Sequence, residues 1–138
     1  MYFIDSNVIS ERRKKRTATR GVRLFFRKSL ELNNRIFLSV ITIGELRRGV
    51  ELIRYRGDKA HARRLESWLQ TLEGDYSDSI IDFSVTDAQV WGRLRVPRYE
   101  NAIDKQIAAT ALTHGLTLVT RNTRDFQGSG VELLNPFE

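Results

Sequence analysis

The sequence predicts an α/β fold, in which a parallel β-sheet carries helices on both faces. Short apolar runs rich in β-formers alternate with segments whose apolar residues recur every three to four positions. Strands separated by helices are typical of βαβ units, with parallel neighbours and right-handed crossovers. A length of 138 residues, without repeats, low-complexity tracts or linkers, predicts one domain over residues 1–138.

Five segments have the length and composition of β-strands. In chain order, they are Tyr2–Asp5, Ile36–Val40, Ile80–Val85, Thr117–Thr120 and Val131–Leu134.

Helical segments lie between these strands and show apolar stripes at helical spacing. The clearest stripes are Leu46, Val50 and Ile53; Leu65, Trp68, Leu69 and Leu72; and Ile103, Ile107 and Ala111, with a weaker one at Val22, Phe25, Phe26 and Leu30. A further helix over about Asp87–Arg95 is expected to run down from the third strand. Residues 96–102 would then climb back to the carboxyl edge of the sheet, a distance that seven extended residues can span.

Capping patterns mark where several of these helices begin and end. Thr42 with Glu45, and Thr86 with Gln89, have the spacing of capping boxes. Gly115 is typical of a helix C-terminus, and His114 before it is well placed against the helix dipole.

Charge is divided unevenly along the chain. Residues 1–64 hold 17 Lys and Arg against 6 Asp and Glu, a net charge of +11, whereas residues 65–138 hold 6 against 11, a net charge of −5. Much of the excess lies in residues 12–28. The net charge of +6 favours a polyanionic partner such as nucleic acid.

Composition excludes several kinds of protein and site. Because the chain has no Cys, it has no disulfide framework, thiolate zinc site or cysteine nucleophile. Neither a signal peptide nor an apolar run long enough for a membrane span is visible, so we expect a cytoplasmic protein without membrane contact. His61 and His114 are the only histidines. A bound metal would therefore have mostly carboxylate ligands, which suit Mg²⁺ or Mn²⁺.

Four acids are expected at the carboxyl edge of the sheet, where ligands of open parallel sheets bind. Asp5 ends the first strand, Glu45 follows the second and Asp125 follows the fourth. Asp104 begins the helix that leads into the fourth strand, so it points to the same edge. Four carboxylates this close would repel one another unless a cation lies among them.

Each of these acids also has a structural interpretation. Glu45 could complete the capping box of Thr42, and Asp125 and Asp104 could each stabilise a helix N-terminus. Asp5 is harder to explain in this way, because an acid at the end of the apolar strand Tyr2–Ile4 gains nothing there. The convergence of all four acids is what favours a functional site.

The same residues carry a family resemblance. Four segments, 4–11, 38–49, 103–111 and 118–126, resemble in order the characteristic pieces of PIN-domain proteins, and specifically VapC-type toxin ribonucleases of bacterial type II toxin–antitoxin systems. The family's four acids correspond to Asp5, Glu45, Asp104 and Asp125, and its polar support to Thr120 and Asn122. Residues 12–35 and 98–102 match the family poorly.

The resemblance implies a three-layer domain with strand order 3-2-1-4-5. It also implies a Mg²⁺- or Mn²⁺-dependent endoribonuclease, acting as a homodimer and neutralised by a small antitoxin protein.

The residues suggest how such chemistry would work. A cation held by Asp5 and Asp104 could polarise a phosphodiester oxygen and activate a water, with Glu45 holding that water or a second ion and Asp125 completing the acidic cup.

The basic half would bind the RNA backbone. The main candidates for these contacts are Arg12, Arg13, Lys14, Lys15 and Arg16. Phe25 and Phe26 could stack bases, although their helical spacing favours the core.

Three other functions compete with the nuclease. A phosphatase with a nucleophilic Asp usually has a second Asp two residues on, where this chain has Asn7. A Ser-His-Asp hydrolase is disfavoured because the chain has no GxSxG motif. A non-catalytic RNA-binding or interaction module stays open, since the basic half alone would suffice for it.

Overall fold

The sheet of the computed structural model, which describes all 138 residues, contains five short parallel strands. They are β1 (Tyr2–Ile4), β2 (Ile36–Ser39), β3 (Ile80–Ile81), β4 (Thr117–Val119) and β5 (Leu133–Leu134). Their order is β3-β2-β1-β4-β5, which confirms the expected order, and each predicted strand is present in a shorter form.

Six helices connect and cover the strands. They are α1 (Ser6–Arg12), α2 (Arg20–Glu31), α3 (Val40–Tyr55), α4 (Lys59–Asp75), α5 (Val85–Leu94) and α6 (Ala102–His114). Short 3₁₀ turns lie at Lys15–Thr17 and Thr123–Phe126. No helix is both long enough and apolar enough to span a membrane.

Alternate residues of the central strands point into two separate cores, one on each face of the sheet. Ile4 and Val119 join the core formed with α1 to α4, whereas Phe3 and Leu118 join the core formed with α6. The three-layer arrangement follows from this alternation, because both faces of the sheet are apolar and both must be covered.

Two helices begin earlier than their capping patterns predicted. The Ser39 hydroxyl caps α3 by accepting from the backbone N–H of Ile41 at 3.0 Å. Ser84 and Asp87 form a reciprocal capping box at the start of α5. The predicted boxes at Thr42 and Thr86 are therefore wrong, because α3 begins directly after β2 and only three residues separate β3 from α5. The αL cap at Gly115 is confirmed, with φ of +64°.

The expected direction of the helix before α6 is also wrong. The side chain of Thr110 donates to Asp87 at the start of α5 (2.8 Å), while the indole of Trp91 donates to the carbonyl of Ala102 at the start of α6 (3.0 Å). The two helices therefore pack antiparallel, and α5 itself returns the chain to the carboxyl edge. Residues 95–101 form a short connection between the two helices rather than a climbing segment.

The weaker apolar stripe lies on α2, which also packs against the C-terminal residues. Val22 and Phe26 are buried in the core and Phe25 packs against it, but Leu30 is exposed. Gly21 lies so close to the C-terminal segment that a Cβ at this position would be 2.0 Å from the carbonyl oxygen of Pro136. The absence of a side chain at Gly21 is what allows this contact.

Candidate active site

Asp5 joins the end of β1 to the start of α1 and is 4% exposed. Its Oδ1 accepts from the backbone N–H of Ser6 at 2.8 Å, which caps α1. Its Oδ2 accepts from the Thr120 hydroxyl at 2.8 Å and from the Asn7 side-chain amide at 3.3 Å. Burial raises the pKa of Asp5, and these hydrogen bonds oppose the rise. Two carboxylate oxygens offer about four acceptor positions, so acceptor capacity is left for a further ligand.

Thr120 and Asn122 connect the loop after β4 to this carboxylate. The Thr120 hydroxyl is fully buried and also accepts from the backbone N–H of Asn122 at 3.0 Å. Asn7 bridges the same region, because its amide donates to Thr120 at 3.3 Å and its oxygen accepts from the backbone N–H of Arg121 at 3.1 Å. Polar groups of α1 and of the loop after β4 thus fix the orientation of Asp5.

Glu45 lies in the second turn of α3 and is half-buried. Burial is the largest cause that raises its pKa, to about 7, and the charges of Asp5 and Asp104 raise it further. Its side chain takes no part in capping α3, because that helix begins at Val40 with Ser39 as its cap. Its capping interpretation is therefore excluded.

Asp104 lies in the first turn of α6, and Asp125 lies in the 3₁₀ turn after β4. Burial raises the pKa of Asp104 to about 6, with further contributions from the charges of Asp5 and Asp125. Asp125 is exposed, and its charge also raises the pKa of Asp5. Both acids therefore lie within electrostatic range of Asp5, on the same side of the sheet.

The four acids form a loose cluster rather than a tight chelating group. No three His, Asp or Glu side chains lie close enough together to hold one metal ion. Mg²⁺ does not need three protein ligands, since it is usually held by one or two carboxylates and keeps waters and substrate phosphates as its other ligands. The donor chemistry of Asp5 and Asp104 fits such an ion, because both supply hard carboxylate oxygens. A cation would also offset the repulsion that adds to burial in raising their pKa values.

A cavity of about 350 Å³ opens beside Glu45, between α1, α3 and α4. Polar groups of α1 and apolar groups of α3 and α4 share its wall. Its lining includes Ser6, Asn7, Arg13, Glu45, Leu46 and Trp68.

The five basic residues predicted to bind RNA are all exposed, but some of their side chains contact other residues of the protein. Arg12 donates to the Tyr76 hydroxyl at 2.9 Å, and its guanidinium lies 4.4 Å from the centre of the Phe26 ring. Lys14 pairs with Glu11 at 2.9 Å. Arg13, Lys15 and Arg16 form no salt bridge. Base stacking by Phe26 is excluded, because its ring is buried in the core.

Two polar residues of this site were not assigned a role from the sequence. Asn7 has no predicted role beyond replacing a second acid, yet it contacts Asp5, Thr120 and Arg121. The feature that could have indicated this role is its position two residues after the acid that ends β1. Thr42 was interpreted as a cap, but its hydroxyl is fully buried and has no hydrogen-bond partner.

Comparisons with known proteins agree with this geometry. The PIN-domain family model matches residues 2–128. Toxin FitB of Neisseria gonorrhoeae is 34% identical over 99% of this chain and 99% of its own. VapC ribonuclease Y4jK of Sinorhizobium fredii is 30% identical over 100% and 99% of the two chains.

Solved structures show the same fold over the whole chain. The crystal structure of FitAcB from Neisseria gonorrhoeae superposes with a TM-score of 0.83 at 31% identity, covering 100% of this chain and 99% of that one. A toxin–antitoxin complex from Klebsiella pneumoniae superposes with a TM-score of 0.69 at 27% identity, again covering 100% and 99%. With its strand order, its edge acids and these similarities taken together, the chain belongs to the PIN-domain family and to the VapC-type toxins within it.

Proposed function

We propose that this protein is a Mg²⁺- or Mn²⁺-dependent endoribonuclease, which acts in the cytoplasm as the toxin of a toxin–antitoxin pair. The names of its relatives support the reaction and the toxin role, since they include a VapC ribonuclease and a toxin. The metal dependence and the site residues are inferred from the acids at the carboxyl edge of the sheet.

The mutual electrostatics of Asp5, Glu45 and Asp104 is the observation that carries the proposal. Repulsion from neighbouring carboxylates contributes to the raised pKa values of Glu45 and Asp104. A fold gains no stability from such repulsion. Perturbed carboxylates that share one edge of a sheet are typical of functional sites, and cation binding is the simplest source of compensation.

The residues would divide the chemistry as follows. Asp5 and Asp104 would hold a divalent cation, whose positive charge would stabilise a phosphodiester oxygen and favour ionisation of water. Glu45 would accept a hydrogen bond from a water and orient it. Asp125 adds negative charge at the exposed side of the cluster, while Thr120 and Asn122 keep Asp5 oriented.

The basic segment after α1 would supply affinity for the RNA backbone without reading its sequence. Lys15 and Arg16 are the residues in it with the least internal engagement, and Arg13 lines the cavity beside Glu45. We expect these three to contribute more than Arg12 and Lys14, which already have partners.

A small antitoxin protein is the proposed partner, and a homodimer is the proposed state of the toxin. The Klebsiella pneumoniae relative was solved as a toxin–antitoxin complex, and its fold matches this chain from end to end. The net charge of +11 in residues 1–64 would favour an antitoxin with an acidic segment.

Cleavage of single-stranded RNA by the purified protein tests the proposal. Wild-type protein should cleave when Mg²⁺ is present and stop when the ion is chelated. Asp5→Asn and Asp104→Asn should each abolish cleavage, whereas Asp78→Asn, which changes an exposed acid outside the cluster, should not. RNA binding without cleavage by the wild-type protein would instead favour the non-catalytic RNA-binding module. Persistent cleavage by either cluster variant would refute the metal-site assignment.

A further inference from the structure

A second cleft, with a volume of about 250 Å³, lies on the far side of Asp125. We call it the flank cleft. The end of α5 and the α5–α6 loop form one wall, and the segment after the 3₁₀ turn forms the other. Its lining includes Val96, Pro97, Arg98, Lys105, Asp125 and Phe126.

The flank cleft combines apolar walls with positive charge. Leu94, Val96, Pro97 and Phe126 supply the apolar surface, and Arg98 and Lys105 supply the cations. Neither cation forms a salt bridge with an acid, although Asp125 lines the same cleft. Tyr99 does not line the cleft but follows Arg98 in the same loop, and its side chain is 72% exposed. An exposed aromatic ring near cations that form no ion pair is typical of surfaces that bind single-stranded nucleic acids.

The loop that carries Arg98 and Tyr99 is held in place by its own contacts. Arg95 donates through Nε and Nη2 to the carbonyl of Tyr99, at 3.4 and 3.3 Å, and its guanidinium lies 4.7 Å from the centre of the Trp91 ring. The ammonium of Lys105 donates to the carbonyl of Arg98. Because these bonds fix the backbone before a ligand arrives, binding would lose little conformational entropy.

The flank cleft is continuous with the acidic cluster. Asp125 belongs to both, and Lys105 follows Asp104 in the first turns of α6. A strand of RNA whose scissile phosphate lies at Asp5 and Asp104 therefore reaches this cleft with its neighbouring nucleotide.

We infer that the flank cleft binds the nucleotide next to the scissile phosphate, with Arg98 contacting its phosphate and Tyr99 stacking on a base. This inference rests on the proposed ribonuclease function and adds a subsite to it. A peptide or a second copy of the chain is favoured less, because the exposed ring is accompanied by cations that match a polyanion.

The test measures binding of a single-stranded RNA oligonucleotide to protein that carries Asp5→Asn, in buffer without divalent ions. Tyr99→Leu should weaken binding at least about five-fold, the lower end of what one stacked base contributes, whereas Tyr99→Phe should bind as the parent does. Arg98→Gln should weaken binding and reduce the salt slope by about 0.7. The matched controls are Tyr55→Leu and Arg64→Gln, which change an exposed tyrosine and an exposed arginine on α3 and α4.

Affinities of the Tyr99 and Arg98 variants equal to those of the controls would overturn the subsite. The subsite would likewise be overturned if these variants bind RNA normally but lose affinity for the antitoxin or for a second copy of the chain, or if the parent binds no RNA. Cleavage by the otherwise unmodified protein, measured in parallel with Mg²⁺, reports separately on the ribonuclease function. Thermal melting of each variant checks that it is folded.

Discussion

Asp5 has a structural role and a chemical role at once. One of its oxygens caps α1, and the other accepts from Thr120 and Asn7, while its charge raises the pKa values of Glu45 and Asp104. Its place at the end of a buried apolar strand predicts a functional role, but the expectation that an acid gains nothing structural there is wrong, because Asp5 caps α1. The supporting amide of Asn7 could not be predicted from the sequence, since an Asn in a first helical turn is common and its long-range contact to Thr120 depends on the tertiary fold.

Thr120→Val should reduce both stability and cleavage. The substitution keeps the volume but removes the hydroxyl that donates to Asp5 and accepts from the backbone of Asn122, and it leaves the buried Asp5 carboxylate without this donor. We expect a loss of about 1–3 kcal/mol in urea denaturation, and a 10- to 100-fold loss of Mg²⁺-dependent cleavage. Thr71→Val, at an exposed hydroxyl of α4, is the control and should change little. Full activity of the Thr120 variant would show that the hydroxyl does not orient Asp5.

The stability of the metal-free protein should fall as pH rises from about 5.5 to about 7, above the range in which acids with a lowered pKa, such as Glu11, gain stability with rising pH. Glu45 titrates near its ordinary value of 4.5 when unfolded and at about 7 when folded, so over this range the folded protein binds more protons than the unfolded chain. Asp104, with a folded pKa of about 6, acts in the same direction. Thermal melting across this range in a chelating buffer measures the trend.

Glu45→Gln is the matched variant for this pH dependence. It removes the titrating group with the higher pKa, so the decline between about pH 6 and 7 should flatten. A decline of equal size in the variant would mean that Glu45 titrates near its ordinary value.

At the scale of elements, Gly21 packs tightly against the C-terminal segment. Gly21→Ala would place a methyl carbon 2.0 Å from the carbonyl oxygen of Pro136, which is far closer than van der Waals contact allows. The backbone must then shift, and we expect a loss of about 1–3 kcal/mol in urea denaturation. Gly92→Ala, at an exposed position inside α5 with open space around it, should instead be neutral or gain up to about 1 kcal/mol. Equal stability of the two variants would contradict the close packing at Gly21.

Elements were predicted more accurately than their ends. The apolar stripe of Leu65, Trp68 and Leu69 lies on a helix that packs against the core, as its period indicated. The caps at Ser39 and Ser84 were not predicted, because Thr42 and Thr86, three and two residues later, also have a Glu or Gln at capping-box spacing. The local pattern does not say where the strand pairing ends and the helix begins, and therefore not which hydroxyl becomes the cap. The direction of α5 was missed for a similar reason, since it depends on the contact between Asp87 and Thr110.

At the scale of the molecule, the basic residues 12–16 should make RNA binding strongly dependent on salt concentration. For single-stranded RNA, each phosphate contact changes the slope of log affinity against log salt by about −0.7. Replacing Arg12, Arg13, Lys14, Lys15 and Arg16 by Gln should flatten the slope by about 2, since the side chains of Arg13, Lys15 and Arg16 form no hydrogen bond or salt bridge within the protein. A salt titration on Asp5→Asn protein measures this without interference from cleavage, and the loss should be similar for unrelated RNA sequences.

An unchanged slope would assign the basic segment to another role. Docking of the antitoxin is then the first candidate, and the same five substitutions should weaken the toxin–antitoxin complex in a salt-dependent manner.

The parallel direction of the strands was the most predictable property of the whole molecule, because alternating strand and helix patterns favour βαβ units and bring strand-ending acids to one edge. The order of the strands was implied by the family resemblance and not by these patterns. How closely these acids approach one another was not predictable, since it depends on side-chain orientation and on the loops. They lie within electrostatic range but do not form a group of three around one point.

Anomalous diffraction from crystals soaked in Mn²⁺ tests the central claim most directly, namely that Asp5 and Asp104 together hold a divalent cation. We predict one strong peak within about 2–2.5 Å of a carboxylate oxygen of each residue, absent from crystals of Asp104→Asn protein. The absence of a peak between these carboxylates in the wild-type crystals, or a peak that persists unchanged in the variant, would contradict the claim.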